Sequence, residues 1–460
     1  MQQSLFKKKS IAQAIEGADR GLARSLSAMD LTLLGIGAII GAGIFVLTGV
    51  AAATKAGPAL SLSFVMGAFA CGFAALVYAE FASAVPLSGS AYTYTYVTLG
   101  ELPAWIIGWD LILEYALACA TVAIGWSGYF IRLLAGLGID LPPALTHAPG
   151  DGGLINLPAF SVMLLISVVL AIGVRQTSVA NAVIVILKLA VIGIFLLAAV
   201  PHVQPTNWEP FMPFGWSGVM AGAGLIFFAY IGFDAVSTAA EEAKNPQRDM
   251  PIGIIVSLVL CTLIYIGVTV VLTGIAPYTT LNVADPIAFA LAQIGEHFAA
   301  GATAIGAVAG LTSVLLVMMY GQTRVFYAMS RDGLLPAVFS EVHPRFRTPA
   351  RTTLATGLLI AIAAGVLPIH EVASLVNVGT LAAFVMVSIA VLYLRRAQPD
   401  LHRPFRTPFV PWTPILAILS CGYLIASLEA ITLWRFVIWM AIGVAVYFAY
   451  ARRHSVLAKA

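Results

Sequence analysis

Gly35-Ile36-Gly37-Ala38-Ile39-Ile40-Gly41-Ala42-Gly43-Ile44-Phe45 interrupts the first long apolar segment of the chain, and Phe227-Phe228-Ala229-Tyr230-Ile231-Gly232-Phe233-Asp234 interrupts the sixth. Backbone that leaves the helical ladder at membrane depth is tolerated only where protein or a wet cavity satisfies it. Two matched breaks therefore mark a midplane site for something polar and point to a transporter.

Composition agrees. Apolar residues make up 60% of the 460, charged residues 10%, and the mean hydropathy is +0.95, which a soluble chain could not carry without large exposed apolar patches. Cys71, Cys119, Cys261 and Cys421 all lie in apolar runs, so neither a disulfide framework nor a thiolate metal cluster is expected. The polar start, Met1 to Asp30, has no apolar core before a small-residue cleavage site and does not read as a cleaved signal peptide.

A window of about 20 residues gives twelve spans, near 30–54, 59–84, 98–132, 157–174, 178–200, 216–242, 251–275, 296–329, 353–368, 372–394, 412–428 and 431–451. An even count puts both termini on one side, and the cations test that. Twenty of the 24 Lys and Arg fall in the N-terminal arm, at Arg175, at Lys244 and Arg248, in 324–351, in 395–406 and in the tail. The other side holds Lys55, Arg132 and Arg435, and Lys188 belongs to neither. Both termini are expected to be cytoplasmic.

The expected architecture is an all-α polytopic membrane protein with twelve transmembrane helices. The breaks in spans 1 and 6 imply a five-plus-five inverted repeat. Its parts would be an arm (1–29), a first repeat (30–200), a second repeat (216–394), spans 11 and 12 (412–451) and a tail (452–460). Residues 11–29 mix apolar and charged side chains at helical spacing, which suits an interfacial helix. The outer loops 133–156, 201–215 and 276–295 are expected to carry short surface helices.

Unwinding at Ile40-Gly41-Ala42-Gly43-Ile44 would free N–H groups at the start of a half-helix whose dipole attracts an anion, so a carboxylate is the expected occupant. The competing reading is close helix packing through small residues such as Gly37 and Gly41. A break at Phe228, Ala229 and Ile231 would free carbonyls suited to an ammonium, and the two together describe an α-amino acid site. Asp234, costly in an apolar segment unless paired, either shapes that site or ties down helix ends or a tyrosine hydroxyl.

Lys188 sits about ten residues, or roughly 15 Å by helical rise, from either end of its span. Desolvation disfavours its charged form, which brings proton exchange within reach; the alternative is a fixed cation bracing the break in span 1. Asp110 and Glu114 lie one turn apart in span 3, with Glu80 in span 2. Glu114, the deeper of the pair, either faces a cationic substrate side chain or makes structural hydrogen bonds. In span 8, Ser313 is placed to help ligate Lys188, and Met318 and Met319 to wall the pocket or simply to pack.

Gly37-Ala38-Ile39-Ile40-Gly41-Ala42-Gly43-Ile44-Phe45, Phe233-Asp234 with Glu241-Glu242-Ala243-Lys244-Asn245-Pro246, and Met329-Ser330-Arg331-Asp332-Gly333-Leu334-Leu335-Pro336 together carry a resemblance. Over nearly its whole length the chain resembles the amino acid–polyamine–organocation superfamily, within it the bacterial branch similar to cationic amino acid transporters. That resemblance implies the leucine-transporter-like repeat with alternating access. It also implies carboxylate binding by the N–H groups at Gly41, Ala42 and Gly43, ammonium binding by the carbonyls of Phe228, Ala229 and Ile231, and gating by Phe228. Lys188 would take the place that a sodium ion has in other members, so sodium coupling is not expected. The stretches 241–246 and 331–336 would lock together when the inner gate closes. Eukaryotic cationic members are longer, commonly with fourteen spans.

The expected function is proton-coupled import of L-amino acids, small neutral such as alanine or cationic such as arginine, across a bacterial plasma membrane among its lipids. The alternatives are an exchanger without net proton movement, which in the family often needs a small partner subunit, or a polyamine transporter. No enzyme chemistry, metal, cofactor or nucleic acid is expected, since no nucleophile with its base and no metal cluster is visible.

Overall fold

Residues 7–8, 25–85, 90–173, 178–346 and 348–459 are described in the computed structural model of the chain. Most of the interfacial helix expected over 11–29 lies outside them, as do Arg175 and Arg347. Among the described residues there is no strand, and a single isolated bridge pairs Leu26 with Ala243.

Span 1 starts with a capping box. Ser27 Oγ accepts the Asp30 N–H at 3.3 Å while Asp30 Oδ2 accepts the Ser27 N–H at 2.9 Å, so donors that a helix start leaves orphaned are answered locally. The helix Ala28–Ile39 ends at Ile40, whose ψ of 98° is extended, and helical backbone resumes at Ala42 and continues through Gly43–Leu47, Thr48–Ala51 and Ala52–Ala56. Span 2 is Leu60–Ala84, span 3 Glu101–Gly136, span 4 Leu157–Ile172 and span 5 Ser178–Ala199.

Span 6 is Gly215–Ile226, a 3₁₀ stretch Phe227–Tyr230, an irregular turn, and a further 3₁₀ stretch Asp234–Glu242. Spans 7 to 12 are Pro246–Ile275, His297–Arg331, Ala350–Val366, Ile369–Ala397, Trp412–Ala426 and Ala430–Val446. Among the described residues, seven helices, counting Gly43–Ala84 as one run, are long and apolar enough to cross a membrane, and five apolar helices are shorter, among them the first halves of spans 1 and 6.

Two boundaries differ from the sequence reading. A separate helix, Ser90–Thr98, precedes span 3, cut off from it by Gly100 at φ 107°, a conformation glycine adopts freely. Span 7 begins at Pro246 and carries Pro251 inside its second turn, where proline forfeits one hydrogen bond close to the helix end. The outer loops do carry short helices, at Pro143–Leu145, Pro149–Asp151, Pro205–Trp208, Tyr278–Thr280 and Pro286–Gln293.

Packing pairs the spans in a regular way. Span 2 lies along span 7, span 3 along span 8 and span 4 along span 9; span 1 packs on span 7 as span 6 does on span 2, and span 3 meets span 10 as span 8 meets span 5. Spans 11 and 12 lie on span 10, at the edge of this core.

Candidate functional site

The break in span 1 is held by a lysine. Lys188 is completely buried, and its Nζ donates to Gly37 O at 2.7 Å and Ile40 O at 3.0 Å. These are carbonyls at the end of the half-helix Ala28–Ile39, which have lost their intrahelical donors and form the negative end of its dipole. The stem of Lys188 runs against Gly310 of span 8, where a methyl group would stand 3.0 Å from its Cε and Cγ. Ser313 donates its hydroxyl to Gly310 O at 3.0 Å, within its own helix.

Past the break, Ile44 and Phe45 N–H donate to Gly41 O at 3.3 and 3.2 Å. The N–H groups of Gly41, Ala42 and Gly43 therefore precede the first internal donors of the second half-helix. Neither Gly41 nor Gly43 has positive φ. Gly43 is instead needed for proximity: a Cβ there would fall 2.3 Å from Ala229 Cα, inside the break of span 6, whereas at Gly41 it would meet Val314 methyls at an ordinary 3.6 Å.

Span 6 supplies the opposite wall. Ile231 is extended at ψ 132°, and Gly232, at φ 124°, lies so close to Ala38 that a Cβ would stand 2.8 Å from its carbonyl carbon. Phe228, Ala229, Ile231, Ile40, Ala42 and Ile44 are all buried. The Phe228 carbonyl accepts the Ile231 N–H at 3.2 Å. Asp234 Oδ1 accepts the Gly232 N–H at 3.3 Å, and its main-chain oxygen accepts the Ser237 hydroxyl at 2.5 Å, so this carboxylate helps shape the turn.

Two side chains that the sequence reading did not select tie the breaks in place. The Tyr265 hydroxyl of span 7 lies 2.8 Å from Ile39 O and 2.9 Å from Ala229 O, bridging the two irregular stretches. Asn377 of span 10 is fully buried and donates from Nδ2 to Gly224 O at 2.8 Å and Leu225 O at 2.9 Å, capping the end of Gly215–Ile226. Both were legible only as polar groups in apolar runs, which must find partners at membrane depth.

Asp110 and Glu114 are both buried, 1% and 3% exposed, rather than near the helix end. Among the described residues both Asp110 oxygens and Glu114 Oε2 lack a hydrogen-bond donor, and the Asp110 carboxyl rests on Gly379 of span 10. Met318 is buried on span 8, five residues beyond Ser313, and Met319 is buried beside it.

A cavity of about 1400 Å³ opens from the end of the bundle that bears Lys55 and Arg132, and reaches inward to Val46 of span 1 and Leu225 of span 6, just beyond the two breaks. An Arg132–Asp285 ion pair and a Lys55–Glu429 pair at 3.1 Å stand in its walls.

The opposite end is closed. Ser25 and Leu26 N–H donate to Glu242 O at 2.9 and 3.0 Å, and Lys244 N–H to Leu26 O at 2.8 Å, which joins the far ends of spans 1 and 6. Glu80 is clasped by Arg395 through two bonds of 3.0 and 2.6 Å, by the Thr407 N–H at 2.8 Å and by Arg403 at 3.3 Å. Glu101 accepts the hydroxyls of Tyr96 at 3.1 Å, Tyr447 at 3.0 Å and Ser455. The stretch 331–336 meets the tail through the Val456 N–H on Asp332 O at 3.1 Å. Among the described residues, no three or more His, Cys, Asp or Glu come together in a group that could hold a metal.

Paired breaks in an all-helical apolar bundle, opened from one side by a cavity and shut on the other, define a membrane transporter. The amino acid permease family profile matches residues 26–451, and the chain belongs to that family. It is 52% identical to a methylthioribose transporter of Bacillus subtilis (strain 168), over 99% of this chain and all of the other. It is 53% identical to a branched-chain amino acid permease of the same organism, again over 99% of this chain and all of that one. A vacuolar cationic amino acid transporter of Arabidopsis thaliana is 38% identical over 82% of this chain and 64% of its own length. Its relatives are transporters, and the chain is a multi-pass membrane protein of a transporter family, not an enzyme.

Proposed function

We propose that the protein is a proton-coupled importer of L-amino acids that works by alternating access across a bacterial plasma membrane, with both termini cytoplasmic. The observation that carries this reading is the pair of bonds from Lys188 Nζ to Gly37 O and Ile40 O, which sets a buried titratable cation directly behind the backbone that would hold a substrate carboxylate. Ile40, Gly41, Ala42, Gly43 and Ile44 form that cradle, and the carbonyls of Phe228, Ala229 and Ile231 take the ammonium. Phe228 gates the site, Asp234 shapes it, Ser313 lines the lysine's seat, and Glu114 and Met318 set which side chains enter. No sodium ion is required, since an ammonium already holds the carbonyls of span 1.

The packing pairs support the inverted repeat of 30–200 and 216–394: exchanging spans 1–5 for 6–10 turns the 1–7 contact into 6–2 and the 3–10 contact into 8–5, and both are present. The cavity on one side with closure on the other supports alternating access.

Small neutral, branched-chain and cationic amino acids are the candidate substrates, the latter two by likeness to relatives so named. The relative named for methylthioribose, a neutral sugar thioether, favours a second reading in which the ligand lacks a carboxylate and an ammonium. Uptake of labelled alanine, leucine and arginine into proteoliposomes, in competition with a panel that includes polyamines and methylthioribose, separates the two. Acceleration by an inside-alkaline gradient, lost in Lys188→Ala, supports coupling. Dependence on internal amino acid would identify an exchanger instead, and competition by none of the amino acids would overturn the substrate class.

A further inference from the structure

We infer that the end of span 7 that carries Arg248 and the loop between spans 10 and 11 form a seat for one anionic phospholipid. A groove of about 540 Å³ runs between them. Gln247 and Arg248 stand at its head, Ile252 and Val256 line the span 7 side, and Pro404 and Phe405 form the facing wall. It is amphipathic along its length, as a lipid is and a free anion is not.

The polar head is cationic and unneutralised. Arg248 is exposed and has no ion-pair partner among the described residues. The neighbouring carboxylate, Asp249, is buried and accepts the Asn245 N–H at 3.1 Å, so it is turned into the helix start and away from this duty. A guanidinium left so at a membrane surface matches a phosphodiester, which it can engage through two parallel bonds.

The apolar end continues as a stripe on the outer face of span 7, where Val256, Leu260 and Leu263 are 39, 41 and 63% exposed, one or two turns apart. This is a track for an acyl chain. Phe409 and Trp412, 82 and 67% exposed on the other side of the loop, have the character of interfacial anchors and set the loop at headgroup level. A headgroup that carries its own cationic ammonium would be repelled by Arg248, so the chemistry selects a lipid such as phosphatidylglycerol over phosphatidylcholine.

The occupant would join two elements that matter to the bundle: span 7, which holds both breaks through Tyr265, and the loop whose Arg403 and Thr407 clasp Glu80. This inference does not depend on which substrate is carried.

The test is native mass spectrometry of the purified full chain in detergent, titrated with palmitoyl-oleoyl phosphatidylglycerol or phosphatidylcholine. The first phosphatidylglycerol is expected to bind about fivefold tighter than phosphatidylcholine, in line with one arginine at a lipid phosphate. Arg248→Gln should abolish that preference while Arg453→Gln, an exposed cation of the tail, leaves it intact, and Val256→Asp should weaken both lipids. Equal binding of the two lipids, equal loss in the two arginine variants, or full displacement by inorganic phosphate would each overturn the proposal. Unchanged melting temperatures of the variants without lipid would exclude misfolding as the cause.

Discussion

The two breaks solve one problem with different chemistry. In span 1 the carbonyls of Gly37 and Ile40 are answered by a charge, which Lys188 brings from span 5. In span 6 the carbonyls are answered by neutral groups: the Asn377 amide at Gly224 and Leu225, and the Tyr265 hydroxyl at Ala229. A neutral clamp holds at any pH, whereas an ammonium clamp can be released by losing its proton. If transport is coupled to protons through these carbonyl clamps, the coupling belongs to the clamp on span 1.

Replacing the charged clamp should have the largest effect. Lys188→Ala leaves two buried carbonyls without a donor and is expected to cut gradient-driven uptake in proteoliposomes by more than about tenfold; retention of full gradient stimulation would remove the distinction between the breaks. Next comes the contact where they meet. Gly43→Ala forces a methyl onto the Ala229 backbone and should reduce uptake by about tenfold, the scale of an overpacked core, while Gly41→Ala, which meets Val314 at 3.6 Å, should stay within about twofold of the parent protein.

The neutral clamps should matter less. Tyr265→Phe removes one hydroxyl shared by two carbonyls and is expected to raise the KM for amino acid uptake about fivefold, with gradient stimulation retained. Asn377→Leu keeps the branched shape but strips two donors, and should cost about 1 kcal/mol, read as a lowered melting temperature at unchanged pH dependence. A shifted pH profile in Asn377→Leu would contradict the assignment of the charged carbonyl clamp to span 1.

Much of this was legible in the chain because membranes punish exceptions. A lysine in an unbroken apolar run, and glycines clustered at the middle of a span, are rare enough to be read directly, and Lys188 does lie at the break of span 1. What the glycines do was not legible. Gly41 and Gly43 look equivalent in sequence, yet only Gly43 faces the backbone of Ala229, some 186 positions away in the chain. Tyr265 and Asn377 were passed over because a tyrosine or asparagine among apolar residues is unremarkable until one knows which carbonyl it reaches. The separate helix Ser90–Thr98 is not legible in the same way: at nine residues it is too short to read as a span.

A phenol carries a single hydrogen, and Tyr265 holds its oxygen within reach of both Ile39 O and Ala229 O. At any instant that hydrogen points at one of the two carbonyls. An ammonium that settled on Ala229 would free the hydrogen for Ile39, whose neighbour Ile40 is already gripped by Lys188. Arrival on one side of the bundle would thus be felt on the other as a rotation of one O–H bond, with no helix having yet moved.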